Sequence, residues 1–360
     1  VGFGVAASSV KAANAVQTAC AASPSAGCDA VAGPSTRLGV AGTGFGTTVT
    51  AALWTVDGDT DLTDNPVAPS YSGAVTLSPS LAGPVGGTTG ALGTTAITLA
   101  GGSNTTVSQT WSQSGVLKIS ASGTYLGQAV AGQSAVLGRF SPRNFNTVLT
   151  TQGCGTFTYS GQPITVVAVR AMDGSGTSVT PNYTGAYARQ VTLSDANASA
   201  LGTLSGNTVA AASFSAGVGN ASPTYTFASY ATVPLAIKLR AAEPTGADGV
   251  DSSTGVEATA TIVSGRLTLP NAYGSEQLVL PLVTRVEYYD TATSPGWRVA
   301  TSSYVDTCTS LKPGNFAFTT TASACTAPVA SCITALSIST TGAGPYVAPW
   351  TVTLGKPTVS

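Results

Sequence analysis

Only 8% of the 360 residues are charged, against roughly 25% in an average soluble protein, and the formal net charge is −1. This balance offers no electrostatic footprint for nucleic acid or for an anionic membrane surface. Hydrophobic residues reach 43%, enough for a core and unlike the composition of disordered chains, yet no apolar run approaches the roughly 18 residues of a membrane span.

In chain order, Ala6 to Thr18 is rich in small residues and reads equally as a short helix or an irregular arm. Gly42-Thr-Gly-Phe-Gly46 lacks the lysine and the following helix of a phosphate loop. After a strand containing Trp54 comes the acidic run Asp57, Asp59, Asp61, Asp64. Carboxylates at alternate positions suit calcium, but the EF-hand pattern fails, with Leu62 in place of its glycine and Ala68 in place of its terminal glutamate. A calcium loop outside that pattern and a plain solvated acidic loop both remain open. Leu117, Ile119 and Ala121 then alternate with Lys118 and Ser120, the period of a half-buried strand. Ile164 to Val169 is apolar on both faces, as inside a sandwich. Leu235, Ile237 and Leu239 oppose Lys238 and Arg240, and Val286 and Tyr288 oppose Arg285 and Glu287.

Turn pairs such as Asp173-Gly174, Asp248-Gly249, Ser264-Gly265 and Pro313-Gly314 separate these runs. With 42 glycines and 20 prolines spread along the chain, this predicts an all-β fold of tandem immunoglobulin-like β-sandwich domains with short loops and little helix. Composition shifts near Gly138–Arg143 and Ser264–Leu267 divide it into β-sandwich domains at 1–137 and 138–264 and a β-rich C-terminal domain at 265–360.

The six cysteines, Cys20, Cys28, Cys154, Cys308, Cys325 and Cys332, form no Cys-x-x-Cys pair, and the chain has no histidine to complete a mixed metal site. Disulfides are the better reading and imply an oxidising compartment. Cys20 with Cys28, and Cys325 with Cys332, are close enough to staple single loops, leaving Cys154 and Cys308 for a long-range bridge.

Zero histidines also remove serine and cysteine triads, histidine bases and the usual zinc hydrolase sites. Paired carboxylates for glycoside hydrolysis remain, but most of the 15 acids sit in turn-like contexts, so no enzymatic activity is expected. Tyr288, Tyr289, Trp297, Tyr346 and Trp350 cluster near strand ends; they suit either a sugar platform or sandwich cores with one buried tryptophan each. Asn104 and Asn182 head glycosylation sequons that read better as turn chemistry.

Several motifs occur in a fixed order: Gly138-Arg139-Phe140-Ser141-Pro142, then Phe157-Thr158-Tyr159-Ser160-Gly161-Gln162-Pro163, then Asn182-Tyr183-Thr184-Gly185. Leu239-Arg240-Ala241, Gly265-Arg266-Leu267, Asn271-Ala272-Tyr273-Gly274 and Asp306-Thr307-Cys308-Thr309 follow. Together they resemble the MshQ-like proteins, exported bacterial proteins encoded with MSHA-type type IV pilus machinery. The resemblance spans nearly the whole chain and is strongest from 136 to 312. It implies a surface or pilus-associated location and carries over no catalytic residues, since the family's conserved domain is of unknown function.

The expected role is therefore an extracellular structural or adhesive protein of the bacterial surface or a type IV pilus. Its partners would be other copies of itself, in fibres, or pilus and surface proteins. The alternative is a calcium-assisted carbohydrate-binding module with glycans as partners. The chain starts at Val1 without a signal peptide, so export implies a leader that has been removed or that lies ahead of this sequence.

Overall fold

The computed structural model describes residues 1–8, 37–59, 62–269, 271–275, 278–292, 296–301, 303–311, 336–340 and 350–354; for 7–8, 105–107, 336–340 and 350–352 it describes the backbone alone. Within these residues the fold is all-β, with two single 3-10 turns, Gly185–Tyr187 and Ala211–Ser213, as its helical content. No helix is long and apolar enough to cross a membrane. Ala6 to Ser8 belong to a strand, where a short helix or arm was the expectation, and 9–18 lie outside the described residues.

The first unit contains strands β1 (Gly2–Ser8), β2 (Gly39–Val40), β3 (Phe45–Ala52), β4 (Gly73–Gly83), β5 (Ala96–Leu99), β6 (Ser103–Gln109), β7 (Gly115–Tyr125), β8 (Gln128–Gln133) and β9 (Leu137–Ser141). Sheet β1-β3-β6 faces sheet β2-β9-β7-β4-β5, with β8 beside β7. Between them lie Phe3, Val5 and Val49 from one sheet and Leu77, Leu117, Ile119 and Phe140 from the other. Trp111 fills the centre edge-on to Phe140, with ring centroids 5.2 Å apart. This alternation of inward apolar and outward polar residues is what forces two sheets face to face.

The second unit contains β10 (Phe145–Leu149), β11 (Thr158–Tyr159), β12 (Val167–Ala171), β13 (Val191–Asp195), β14 (Gly202–Ser205), β15 (Thr208–Val209), β16 (Val218–Ala221), β17 (Thr224–Phe227), β18 (Leu235–Ala242) and β19 (Thr259–Val263). Sheet β10-β12-β16 packs on β11-β19-β18-β13-β15, around Val167, Val169, Leu193, Ile237, Leu239 and Ile262. Ile237 and Leu239 point inward and Lys238 outward, as their alternation predicts. The run from Ile164 to Val169 differs from expectation: β12 begins only at Val167, and Val166 is 55% exposed, so one face alone is buried.

In the third unit, β20 (Gly265–Thr268), β21 (Leu280–Tyr289), β22 (Trp297–Val299), β23 (Leu336–Thr340) and β24 (Trp350–Leu354) form one sheet, ordered β20-β21-β24-β23 with β22 beside β21. Val286 and Tyr288 are buried and Arg285 exposed, again as the alternation requires.

Candidate functional site

The acidic loop after β3 uses its carboxylates internally. Asp57 Oδ1 accepts the Trp54 indole N–H at 3.2 Å, Asp59 Oδ2 accepts the Asn65 amide at 2.7 Å, and Asp64 is exposed. Asp61 lies outside the described residues, and the three described acids do not converge on one point. Trp54, 59% exposed, packs in no core.

Most of the motif residues go elsewhere, to the two seams between units; Leu239 and Ala241 fill the second unit's own core, and Tyr273 is exposed. At the first seam, Asn182 is fully buried in the second unit and its carboxamide is spent on the first. Its Oδ1 accepts the Thr88 N–H at 2.7 Å, and its Nδ2 donates to the carbonyls of Thr88 at 2.8 Å and Ser114 at 2.9 Å. A carboxamide so occupied has no nitrogen open to a glycan. Thr180 Oγ1 donates to Gln113 Oε1 at 2.7 Å and lies 2.9 Å from Ser114 Oγ. Apolar contact completes the seam, with Tyr187 buried against Val116 and Val136. Backbones meet directly where Gly174 N donates to the Ser112 carbonyl at 2.8 Å and a Cβ on Gly42 would fall 2.5 Å from the Gly174 oxygen.

Beside this seam sits a buried ionic cluster. Arg139 on β9 makes a two-nitrogen ion pair with Asp248, both nearly inaccessible. Arg189 Nε lies 3.9 Å from the same carboxylate. Arg37, just before β2, donates to the Asp248 carbonyl at 2.6 Å and to Ser141 Oγ at 3.0 Å. Glu243 lies in the same pocket and accepts the Tyr183 hydroxyl at 2.8 Å and the Val250 N–H at 3.3 Å. Burial, and then the Asp248 charge, push the Glu243 carboxyl up to about 7. Burial and the Glu243 charge hold the Tyr183 phenol well above its ordinary range, so it stays a donor.

The second seam is apolar and covalent. Cys154 and Cys308 form a disulfide, the pairing their spacing suggested; Cys20, Cys28, Cys325 and Cys332 lie outside the described residues. Around it Phe157, Tyr159, Val263, Val286 and Tyr288 form one buried cluster from both units. Asp306, buried beside the bridge, accepts the N–H groups of Cys308 at 2.9 Å and Thr309 at 2.8 Å and the Tyr159 hydroxyl at 3.3 Å. Burial and then Asp306 push the Tyr159 phenol up. Among the described residues, Cys154, Asp306 and Cys308 are the one trio whose ligand atoms lie together, but the sulfurs are committed to each other.

On the outer face of this seam Tyr230 of the second unit meets Tyr289 and Trp297 of the third, with centroids 4.9 and 6.2 Å away. Arg266 covers the Trp297 ring at 4.2 Å and pairs with Glu287. The Tyr230–Tyr289 and Tyr289–Trp297 contacts are edge-to-face, so these rings use their faces on one another rather than offering a flat platform. Tyr288 is in the core, Tyr346 lies outside the described residues, and of Trp350 only the backbone is described. Trp111 is thus the one core tryptophan among the described side chains. A cleft of about 270 Å³ opens at the same seam, lined by Ser160, Gln162, Arg266, Leu267 and Thr309.

The motifs are visible in the sequence, but the contacts they make are not. Each looks like a local turn or strand, and its partner is far away in the chain, 94 residues for Asn182 and Thr88 and 109 for Arg139 and Asp248.

Three consecutive domains of one family match the chain: DUF6701 second domain over residues 4–113, third domain over 113–264 and fourth domain over 263–353. Comparison with curated proteins gave no match. Among solved structures the chain is similar to the D0–D1 domain of intimin at 18% identity and a TM-score of 0.19, covering 62% of this chain and 93% of that one. It is similar to the ICAM-5 D1–D4 ectodomain fragment at 12% identity and a TM-score of 0.24, covering 68% and 57%. Zebrafish RET cadherin-like domains 1 to 4 follow at 6% identity and a TM-score of 0.20, covering 61% and 62%.

Proposed function

The chain belongs to the DUF6701 family, spanning its second, third and fourth domains, and from that premise we propose that it is a non-catalytic structural and adhesive component of the bacterial surface. One observation carries this reading: five of the seven family-like motifs line seams between units rather than converging on a reaction centre, while Leu239-Arg240-Ala241 lies in the second unit's own sheet and Tyr273 is exposed. Ordinary tandem domains are joined by exposed linkers across which few contacts run. Here one seam is locked by buried carboxamide and ion-pair contacts and the other by a disulfide inside an apolar cluster. Such joints transmit load and hold distance, which a stalk or fibre subunit needs and an enzyme does not.

The same chemistry supports the location. A disulfide between residues 154 positions apart persists in an oxidising compartment outside the cytosol. The sparse charge leaves a hydroxyl- and amide-rich surface with little mutual repulsion between copies, which favours assembly into fibres. On this reading the assembly stands beside a type IV pilus, which the resemblance to MshQ-like proteins supports.

Immunogold microscopy of intact cells tests the reading. Antibody to the second unit is expected to decorate the surface or its pili, and deletion of the gene to lower attachment several-fold. Recovery of the protein in the cytosol with Cys154 and Cys308 as thiols would overturn it.

A further inference from the structure

The ionic cluster at the first seam does something a static joint does not require. The whole chain has 14 basic and 15 acidic residues, yet three of the first and two of the second meet in this one pocket. Asp248 has a two-nitrogen guanidinium partner. Among the described residues Glu243 has only neutral donors in direct contact, the Tyr183 hydroxyl and the Val250 N–H, so its charge is the less compensated of the two.

Placement gives that difference leverage. Glu243 and Val250 bracket the loop 244–249: the Glu243 N–H donates to the Val250 carbonyl at 3.0 Å while the Glu243 side chain accepts from Val250. The loop tip is exposed at 244–246, but Asp248 is turned fully inward, where Arg139 and Arg37 of the first unit hold its carboxylate and its carbonyl. The loop is therefore a finger of the second unit gripped by two arginines of the first, and Glu243 stands at its root.

We propose that Glu243 is a proton-operated latch: protonated, it keeps the 244–250 loop closed on Arg139 and Arg37, and ionised, it lets the loop open and loosens the first seam. The groups facing it are Tyr183 from the loop before β13, Asp248 and Val250 from the hairpin itself, Arg139 from β9, and Arg189 beyond Asp248. Burial and then the Asp248 charge oppose ionisation; the Tyr183 and Val250 donors and then Arg139 favour it but do not offset the burial. The sign follows from linkage. A carboxyl raised from 4.5 to about 7 binds more protons closed than open between those values. Closure is then favoured in mild acid and weakens as pH rises towards 7. The limit is about 300-fold in the open-to-closed ratio, reached if the open loop restores the ordinary value.

Amide hydrogen exchange across 244–250, in the intact chain from pH 5.5 to 8.5, tests the latch against Glu243→Gln at each pH, so that intrinsic exchange cancels. The expected result is a wild-type-to-variant ratio of opening that climbs at least tenfold and levels off above pH 7. A ratio flat across the range overturns the proposal. Should Glu243→Gln fold poorly, carbon NMR of the wild-type carboxyl decides alone: a midpoint near 7 supports the latch, and one below 5.5 sinks it.

Discussion

The carboxamide of Asn182 reads both backbone groups of Thr88, accepting its N–H at 2.7 Å and donating to its carbonyl at 2.8 Å, across the seam between the first two units. A side chain here completes a two-bond bridge of the kind a neighbouring strand would make. Replacing it with aspartate keeps the shape but removes the donors facing the Thr88 and Ser114 carbonyls and buries a charge. Asn182→Asp should therefore destabilise the protein by about 3 kcal/mol or more. Urea unfolding followed in both units should show the loss and a split of one transition into two. A single unshifted transition would refute the bridge.

The second seam depends on a covalent tie. Closing a loop of more than 100 residues restricts the unfolded chain by about 4–5 kcal/mol in the entropic account. The double variant Cys154→Ser/Cys308→Ser should lower the melting temperature of the third unit and leave that of the first unchanged, in calorimetry with and without reductant. Identical thermograms for wild type in either condition would mean that the apolar cluster alone holds the seam.

Where backbones of two units touch, side chains are excluded by geometry. Gly42 has φ of +75°, and its Cβ would lie 2.6 Å from the Gly174 Cα. Gly42→Ala combines an unfavourable left-handed backbone with that collision, and a loss of about 2–3 kcal/mol is expected. Gly174→Ala meets the same wall, 2.6 Å from the Gly42 nitrogen, without a left-handed backbone, and should lose less. Chemical denaturation of the pair separates the two contributions, and equal losses would rule out the backbone part.

How much of this was legible follows from distance along the chain. The alternation in β7, β18 and β21 is visible because one sheet face is buried and the side-chain period is two. Val166 departs from the expected two-sided burial because an apolar residue in a run looks the same whether or not a second layer covers it, and this one is exposed. Trp54, expected within a strand, lies two residues beyond the end of β3 and is exposed. Asn182 looked like turn chemistry since its partners, Thr88 and Ser114, declare themselves only when the sandwiches meet. Cys154 and Cys308 were reachable because cysteines are few and pair only with one another.

Charge changes around Glu243 should move its titration in opposite directions. Asp248 opposes its ionisation, so Asp248→Asn removes a like charge and leaves Arg139 and Arg189 without their carboxylate. The Glu243 carboxyl should then titrate lower than about 7, because the cations turn to it. Arg139→Met removes the cation that favours the ionised form, and the titration should move higher. Each single change also strands a buried charge, at about 3–5 kcal/mol, whereas Arg139→Met/Asp248→Leu removes both and should cost much less. Carbon NMR titration of the two singles, with urea unfolding of all three, checks both statements. The absence of a shift in both singles would mean that burial alone sets the carboxyl and that the arginines merely clamp the loop.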